Sequence, residues 1–198
     1  MATSAPFDAV GNASTLIGVV VGALVATLGS ITASRYERQL LRREREADAA
    51  LVFAEILRSL SLEIRVVRAA HARGDPFGPI TIRMCRTVRR EVEIYERNRE
   101  RLFVVRDAHL RPQASALMAR LTFAIDRVLD ATDALALKPS EAEQAELTAA
   151  RDQAFEFLVE CSEELPHFVE RFAALANTRL ADFDLESIGF VPPRREEG

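Results

Sequence analysis

The chain has 198 residues, of which 48% are hydrophobic and 28% are charged, and its formal net charge at pH 7 is −4. This balance excludes wholesale disorder, because enough apolar surface is available for a core, and it argues against a strongly basic protein that binds nucleic acid. Frequent Ala, Leu, Arg and Glu, with few Gly and Pro and no Trp, favour helices over sheets.

An uncharged run over 9–34 separates Asp8 from Arg35. As a helix it would be about 39 Å long, more than the about 30 Å hydrocarbon core of a bilayer. The preceding residues contain no Lys or Arg, so the basic region of a cleaved signal peptide is missing. The run predicts a retained transmembrane helix over 14–34, after a short extracytoplasmic segment over 1–13.

The orientation follows from the arginines that come directly after the run, in a juxtamembrane helix predicted over 35–46. They are Arg35, Arg38, Arg42, Arg43 and Arg45. Basic residues stay on the cytoplasmic side, so the N-terminus is expected outside and the rest of the chain in the cytoplasm, at the cell (inner) membrane. The same arginines are candidates for contact with anionic lipid headgroups.

Small residues share one face of the predicted span: Gly11, Gly18, Gly22, Ala26 and Gly29. Gly allows two membrane helices to approach closely, so this face predicts self-association or pairing with a partner helix. The alternative is that Gly is simply common in membrane helices.

Residues 47–179 carry helical apolar periodicity and predict a bundle of about four antiparallel helices. The first helix continues from the juxtamembrane segment and ends at Gly74 and Pro76, and the second begins near Ile80. Pro112 suits the first turn of the third helix. The predicted core positions of these three helices are Ala50, Phe53, Leu57, Leu60, Ile64, Val67, Cys85, Val88, Val92, Tyr95, Leu102, Ala114, Leu117, Leu121, Ile125, Val128 and Leu135.

The fourth helix is expected to begin at a capping box made by Ser140 and Glu143. Pro166 should kink or divide it, because proline disrupts a helix interior. Its apolar positions are Leu147, Ala154, Leu158, Cys161, Leu165, Phe168, Phe172 and Leu175. The tail over 180–198 either docks on the bundle or serves as a short linear motif.

Motifs for catalysis are missing from the sequence. It has no glycine-rich phosphate loop and no nucleophile elbow. Glu164 and His167 have the spacing of half a di-iron site, but no second Glu-x-x-His exists. Cys85 and Cys161 lack metal-type spacing and suit two reduced core positions. We therefore expect no enzyme, no cofactor and no metal.

The second helix is rich in arginine, and Arg83, Arg86, Arg89 and Arg90 form a candidate protein-contact face. Three interpretations remain open: a solvated face with weak Glu–Arg pairs, docking on the acidic fourth helix within a chain or between protomers, or binding to RNA or lipid.

These features favour a non-enzymatic, single-pass membrane scaffold or adaptor that self-associates through its glycine face and presents the bundle to protein partners. The expected partners are membrane lipid, further copies of the chain and an unknown protein. The alternative is a membrane-perturbing component of the phage lysis or small-pore type.

Overall fold

The computed structural model describes residues 9–74 and 76–178, and all the regular structure among them is helical. A 3-10 helix, Arg99–Val104, extends the second α-helix. The α-helices are α1 (Ala9–Ala72), α2 (Pro79–Asn98), α3 (Leu110–Ala136), α4 (Glu141–Ser162) and α5 (Leu165–Leu175). The predicted all-α class and helical bundle are confirmed, and the predicted tail over 180–198 lies outside the described residues.

The chain divides into two compact units, Met1–Glu44 and Arg45–Gly198. The second unit contains one continuous hydrophobic core, which extends from Ala49 on α1 to Ala173 on α5. Every predicted core position from Ala50 to Val128 is buried, whereas Leu135, Leu147 and Leu175 are only half-buried.

Neighbouring helices of the second unit run antiparallel, as the residues that face each other show. On α1 and α2, Phe53 meets Tyr95 with ring centroids 5.6 Å apart. Farther along α1, His71 stacks on Phe155 of α4 at 4.2 Å, while Phe53 also meets Phe172 of α5 at 5.7 Å. Position numbers therefore rise on α1 as they fall on its neighbours, which is the antiparallel arrangement of a bundle with short connections.

The helix ends follow the local sequence signals. Gly74 adopts a φ of +93° just after α1, a conformation that costs Gly little because it has no Cβ. At α4, the backbone N–H of Ser140 donates to Glu143 Oε2 at 3.0 Å, which confirms the capping box. Pro166 lies in the first turn of α5, and the expected fourth helix is divided there into α4 and α5.

The cysteines are free and buried, at Cys85 on α2 and Cys161 on α4. Burial raises the pKa of the Cys85 thiol to about 12. Both are buried at the core positions predicted from the sequence, where a thiol packs as a small apolar side chain.

Side chains of the first unit are described at 19, 20, 23 and from 27 onward, and all of these are exposed. Among the described residues, no helix is long and apolar enough to cross a bilayer. The span predicted over 14–34 includes side chains at 14–18, 21–22 and 24–26 that lie outside the described set.

Candidate interaction surfaces

The arginines predicted to contact lipid headgroups lie in the exposed part of α1. They are Arg35, Arg38, Arg42, Arg43 and Arg45. Within the described part of the chain, none of them forms an ion pair with a carboxylate, although Glu37 and Glu44 lie on the same stretch of helix. Their charges are therefore available to an external anion.

Of the predicted glycine face, only Gly29 has a described environment. A Cβ built on Gly29 meets no atom within 4 Å, so that position has open space around it. The side-chain positions of Gly11, Gly18, Gly22 and Ala26 lie outside the described residues.

The exposed side of α2 carries arginines without acids between them. At 100° per residue, six residues from position 83 onward fall within an arc of about 100° on the side opposite Cys85, Val88 and Val92. They are Arg83, Arg86, Thr87, Arg90, Ile94 and Arg97. We call this arc the arginine stripe. The arginine stripe is exposed because the buried apolar residues of α2 occupy the other side of the helix.

The members of the arginine stripe differ in their pairing. Arg86 meets Asp133 of α3 at 3.2 Å, and Arg97 meets Glu93 on its own helix at 3.6 Å. Arg83 and Arg90 are exposed and form no ion pair with any described residue. An open groove of about 530 Å³ follows the same surface, lined by Pro79, Ile82, Arg83, Arg86, Thr87 and Arg90.

Arg89 lies off this stripe, although the sequence grouped it with Arg83, Arg86 and Arg90. Its Nε is 2.6 Å from Asp126 Oδ1 of α3, and its side chain is only 33% exposed. Arg89 therefore joins α2 to α3 within the chain. Arg86 and Arg89 both form ion pairs with α3, whereas one of the three interpretations of the sequence placed this face on the fourth helix.

The exposed side of α4 has the opposite charge. An arc of about 100° on this helix contains acids, Ala and one Val, with no Lys or Arg. Its acidic members are Glu141, Asp152, Glu156, Glu160 and Glu163, all of them exposed. We call this arc the acidic stripe. Asp152 lies 3.6 Å from the neighbouring Arg151, and no described residue of another helix forms an ion pair with the acidic stripe.

The arginine stripe on α2 and the acidic stripe on α4 lie at diagonally opposite corners of the bundle. α1 contacts α2 through Phe53 and Tyr95 and contacts α4 through His71 and Phe155. α3 likewise packs against both α2 and α4. Because α2 and α4 are separated by α1 on one side and by α3 on the other, their exposed faces point away from each other.

Asp107, between the 3-10 helix and α3, was not singled out from the sequence. Its Oδ1 accepts the backbone N–H groups of His109 and Leu110, both at 2.9 Å, and its Oδ2 accepts Arg171 of α5 at 3.0 Å. The N–H of Leu110 is the main cause that lowers the pKa of Asp107. An Asp just before a helix start was the available signal.

Glu63, on the part of α1 that lies near Glu91 of α2, was also not singled out from the sequence. Its Oε2 is buried and has no hydrogen-bond partner among the described residues. Burial, and then the charge of Glu91 on α2, raises the pKa of Glu63 to about 7. Glu63 is three residues after Leu60 and four before Val67, so its helical spacing already placed it beside the core.

An aromatic cluster closes the end of the bundle where α1 and α2 are joined. Phe77 lies edge-on to His71 at 4.9 Å and to Phe155 at 5.4 Å, and the Arg151 guanidinium lies 3.8 Å from the Phe77 ring centre. These residues line an open cleft of about 410 Å³. No helical periodicity predicted this cluster, because Phe77 belongs to a turn.

Glu164 and His167, which have the spacing of half a di-iron site, each contact another side chain of the bundle. Glu164 receives Arg120 of α3 at 2.8 Å, and the His167 ring lies against Phe168. In the part of the chain that the structure describes, no three His, Cys, Asp or Glu residues are grouped to hold a metal ion. No protein-family model matches the chain, and no curated protein or solved structure is significantly similar to it.

Proposed function

We propose that this protein is a non-enzymatic scaffold, anchored in the cell membrane by residues 14–34, with its N-terminus outside and its helical bundle in the cytoplasm. The anchor associates with other copies through its glycine face. The bundle presents charged surfaces to protein partners.

The observation that carries this proposal is the exposed character of the uncharged part of α1. Val19, Val20, Leu28 and Ile31 are 67%, 51%, 62% and 43% exposed. Large aliphatic side chains on an uncharged helix are unfavourable in water and favourable in lipid. The five exposed arginines that follow supply the charge asymmetry that sets orientation.

Membrane insertion and orientation are tested on the full chain with a reporter at either end. We expect the protein to resist alkaline extraction from membranes, with a C-terminal reporter active in the cytoplasm and an N-terminal reporter active outside. Reversing the sign of Arg35, Arg38, Arg42, Arg43 and Arg45 should produce a mixed orientation. Release of the parent chain by alkali, or a C-terminus outside, would contradict the proposal.

The glycine face is tested by Gly18→Ile together with Gly22→Ile. These side chains would separate two closely packed helices, so we expect crosslinking within the membrane to fall. The control is Ala23→Ile, which places the same bulky side chain about 140° around the helix from Gly18 and about 100° from Gly22. An equal loss in both variants, or in neither, would argue against the glycine face.

A further inference from the structure

We infer that the arginine stripe of α2 binds the acidic stripe of α4 in a second copy of this chain. The inference extends the proposed scaffold role by naming the partner of the bundle. It does not depend on the anchor, because both stripes belong to the unit Arg45–Gly198.

Charge complementarity is the first argument. The arginine stripe includes Arg83 and Arg90, which have no ion-pair partner among the described residues, and the acidic stripe contains no cation. Facing surfaces of opposite charge speed encounter and fix which partners bind. Two arginine stripes would repel each other, and so would two acidic stripes. Contacts between two α2 helices or between two α4 helices are therefore disfavoured.

The shapes of the two stripes are also compatible. From Arg83 to Arg97 the arginine stripe extends about 21 Å, and from Asp152 to Glu163 the acidic stripe extends about 17 Å. Exposed Ala145 and Ala149 continue the acidic stripe toward Glu141. Such small residues leave room for long arginine side chains and for the exposed Ile94 of the other copy.

The positions of the stripes determine the kind of assembly. Because α2 and α4 occupy diagonal corners, one copy engages a neighbour on each side, and the contact is heterologous. Heterologous contacts build rings or open chains, whereas a two-fold dimer would need the same patch on both copies. Bundles joined in this way would therefore assemble into rings or open chains.

The test uses full-length chains with two different tags and a site-specific crosslink. Thr87→Cys is placed on the arginine stripe of one copy, and Ala149→Cys on the acidic stripe of the other. A bis-maleimide then reports this contact even if the anchors also pair. The native Cys85 and Cys161 are buried and should react little.

Two charge reversals then probe the contact, Arg83→Glu with Arg90→Glu, and Glu156→Arg with Glu160→Arg. Each variant alone has one stripe of mixed charge, which no longer complements its unchanged stripe, so we expect its own crosslinking to fall about tenfold. An equimolar mixture of the two variants should recover it, because the unchanged acidic stripe of the first variant then meets the unchanged arginine stripe of the second. Salt raised from about 0.05 to about 0.5 M should weaken the parent contact.

A control variant distinguishes loss of the contact between the stripes from a general effect of the charge change. Arg68→Glu with Lys138→Glu makes the same charge change as the arginine reversal, at exposed positions outside both stripes, and should leave crosslinking unchanged. Failure of the mixture to recover the crosslink would overturn the inference. Loss confined to the arginine reversal would also overturn it and indicate an acidic partner other than this chain. Alkaline extraction of the same samples reports separately whether the membrane proposal holds.

Discussion

At the scale of single residues, Glu63 on α1 has a strongly shifted pKa. One of its carboxylate oxygens is buried without a hydrogen-bond partner among the described residues, and burial together with the charge of Glu91 raises the pKa of Glu63 to about 7. In the unfolded chain the pKa is near the ordinary value of 4.5. The folded state therefore holds this proton over a pH range in which the unfolded state has lost it.

The sign of the resulting pH dependence follows from linkage. For a carboxyl group with a raised folded pKa, stability is full below pH 4.5 and declines as pH rises, until the loss is complete above about pH 7. Full desolvation would give about 3 kcal/mol, and solvent around a half-buried side chain reduces this to about 1–2 kcal/mol.

Glu63→Gln should therefore stabilise the bundle by about 1–2 kcal/mol at pH 8 and change it little at pH 4.5. Chemical unfolding of the full chain in detergent, followed by circular dichroism at both pH values, measures this difference. Glu170→Gln, at an exposed position of α5, makes the same charge change as a control. A Glu63→Gln effect of the same size at both pH values would contradict the assignment.

At the scale of helices, Phe53 is the residue through which α1, α2 and α5 meet. Its ring is fully buried between Tyr95 and Phe172. Phe53→Ala would leave a cavity that three helices cannot all collapse into, and we expect a loss of about 3–5 kcal/mol in the free energy of unfolding.

The matched control for Phe53 is Phe123→Ala on α3, where the ring is 61% exposed. There we expect a change within about 0.5 kcal/mol. Denaturant unfolding of the two variants beside the parent chain measures the contrast. Similar losses at both positions would mean that the core is not centred on Phe53.

Asp107 connects the start of α3 to α5, and its two roles can be separated by substitution. Asp107→Asn keeps an oxygen for the N–H groups of His109 and Leu110 but loses the charge that holds Arg171. Asp107→Ala loses both. We expect stability to fall from the parent chain to Asn and further to Ala, while Asp130→Ala, at an exposed position of α3, stays near the parent.

Because the pKa of Asp107 is lowered in the folded chain, the contribution of its charge is present above about pH 4 and is lost as pH falls further. The difference between Asp107→Asn and the parent should therefore shrink in acid. Unfolding curves at pH 7 and pH 3 test this, and a difference that persists unchanged at pH 3 would be inconsistent with the ion pair.

Periodicity predicted the buried side of each helix because burial repeats with the helical turn, as at Leu57, Leu60 and Ile64 on α1. It did not predict which helices exchange ion pairs. That choice depends on the order of helices around the core, and Arg89 meets Asp126 of α3 because α3, and not α4, lies beside α2. Phe77 contacts His71 and Phe155 from a turn, where the sequence has no helical periodicity that could predict burial.

At the scale of the whole molecule, the buried hydrophobic residues that the structure describes all belong to one of the two units. Its buried side chains begin at Ala49, and the side chains described between Val19 and Arg45 are exposed. Stability of the bundle should therefore depend on packing within Arg45–Gly198 and not on the first forty-four residues.

A fragment over 45–198 should consequently fold alone, with a free energy of unfolding within about 1 kcal/mol of that of the full chain, and it should no longer sediment with vesicles. A fragment over 58–198 is the control, since it also lacks Ala50, Phe53 and Leu57, which are fully buried. We expect that shorter fragment to lose cooperative unfolding, because α1 then leaves one side of α2 and α5 uncovered. Circular dichroism melts and vesicle sedimentation on the three proteins measure both properties. If the longer fragment also lost cooperative unfolding, residues before Arg45 would contribute to the bundle, and the two units could not be treated as separate in stability.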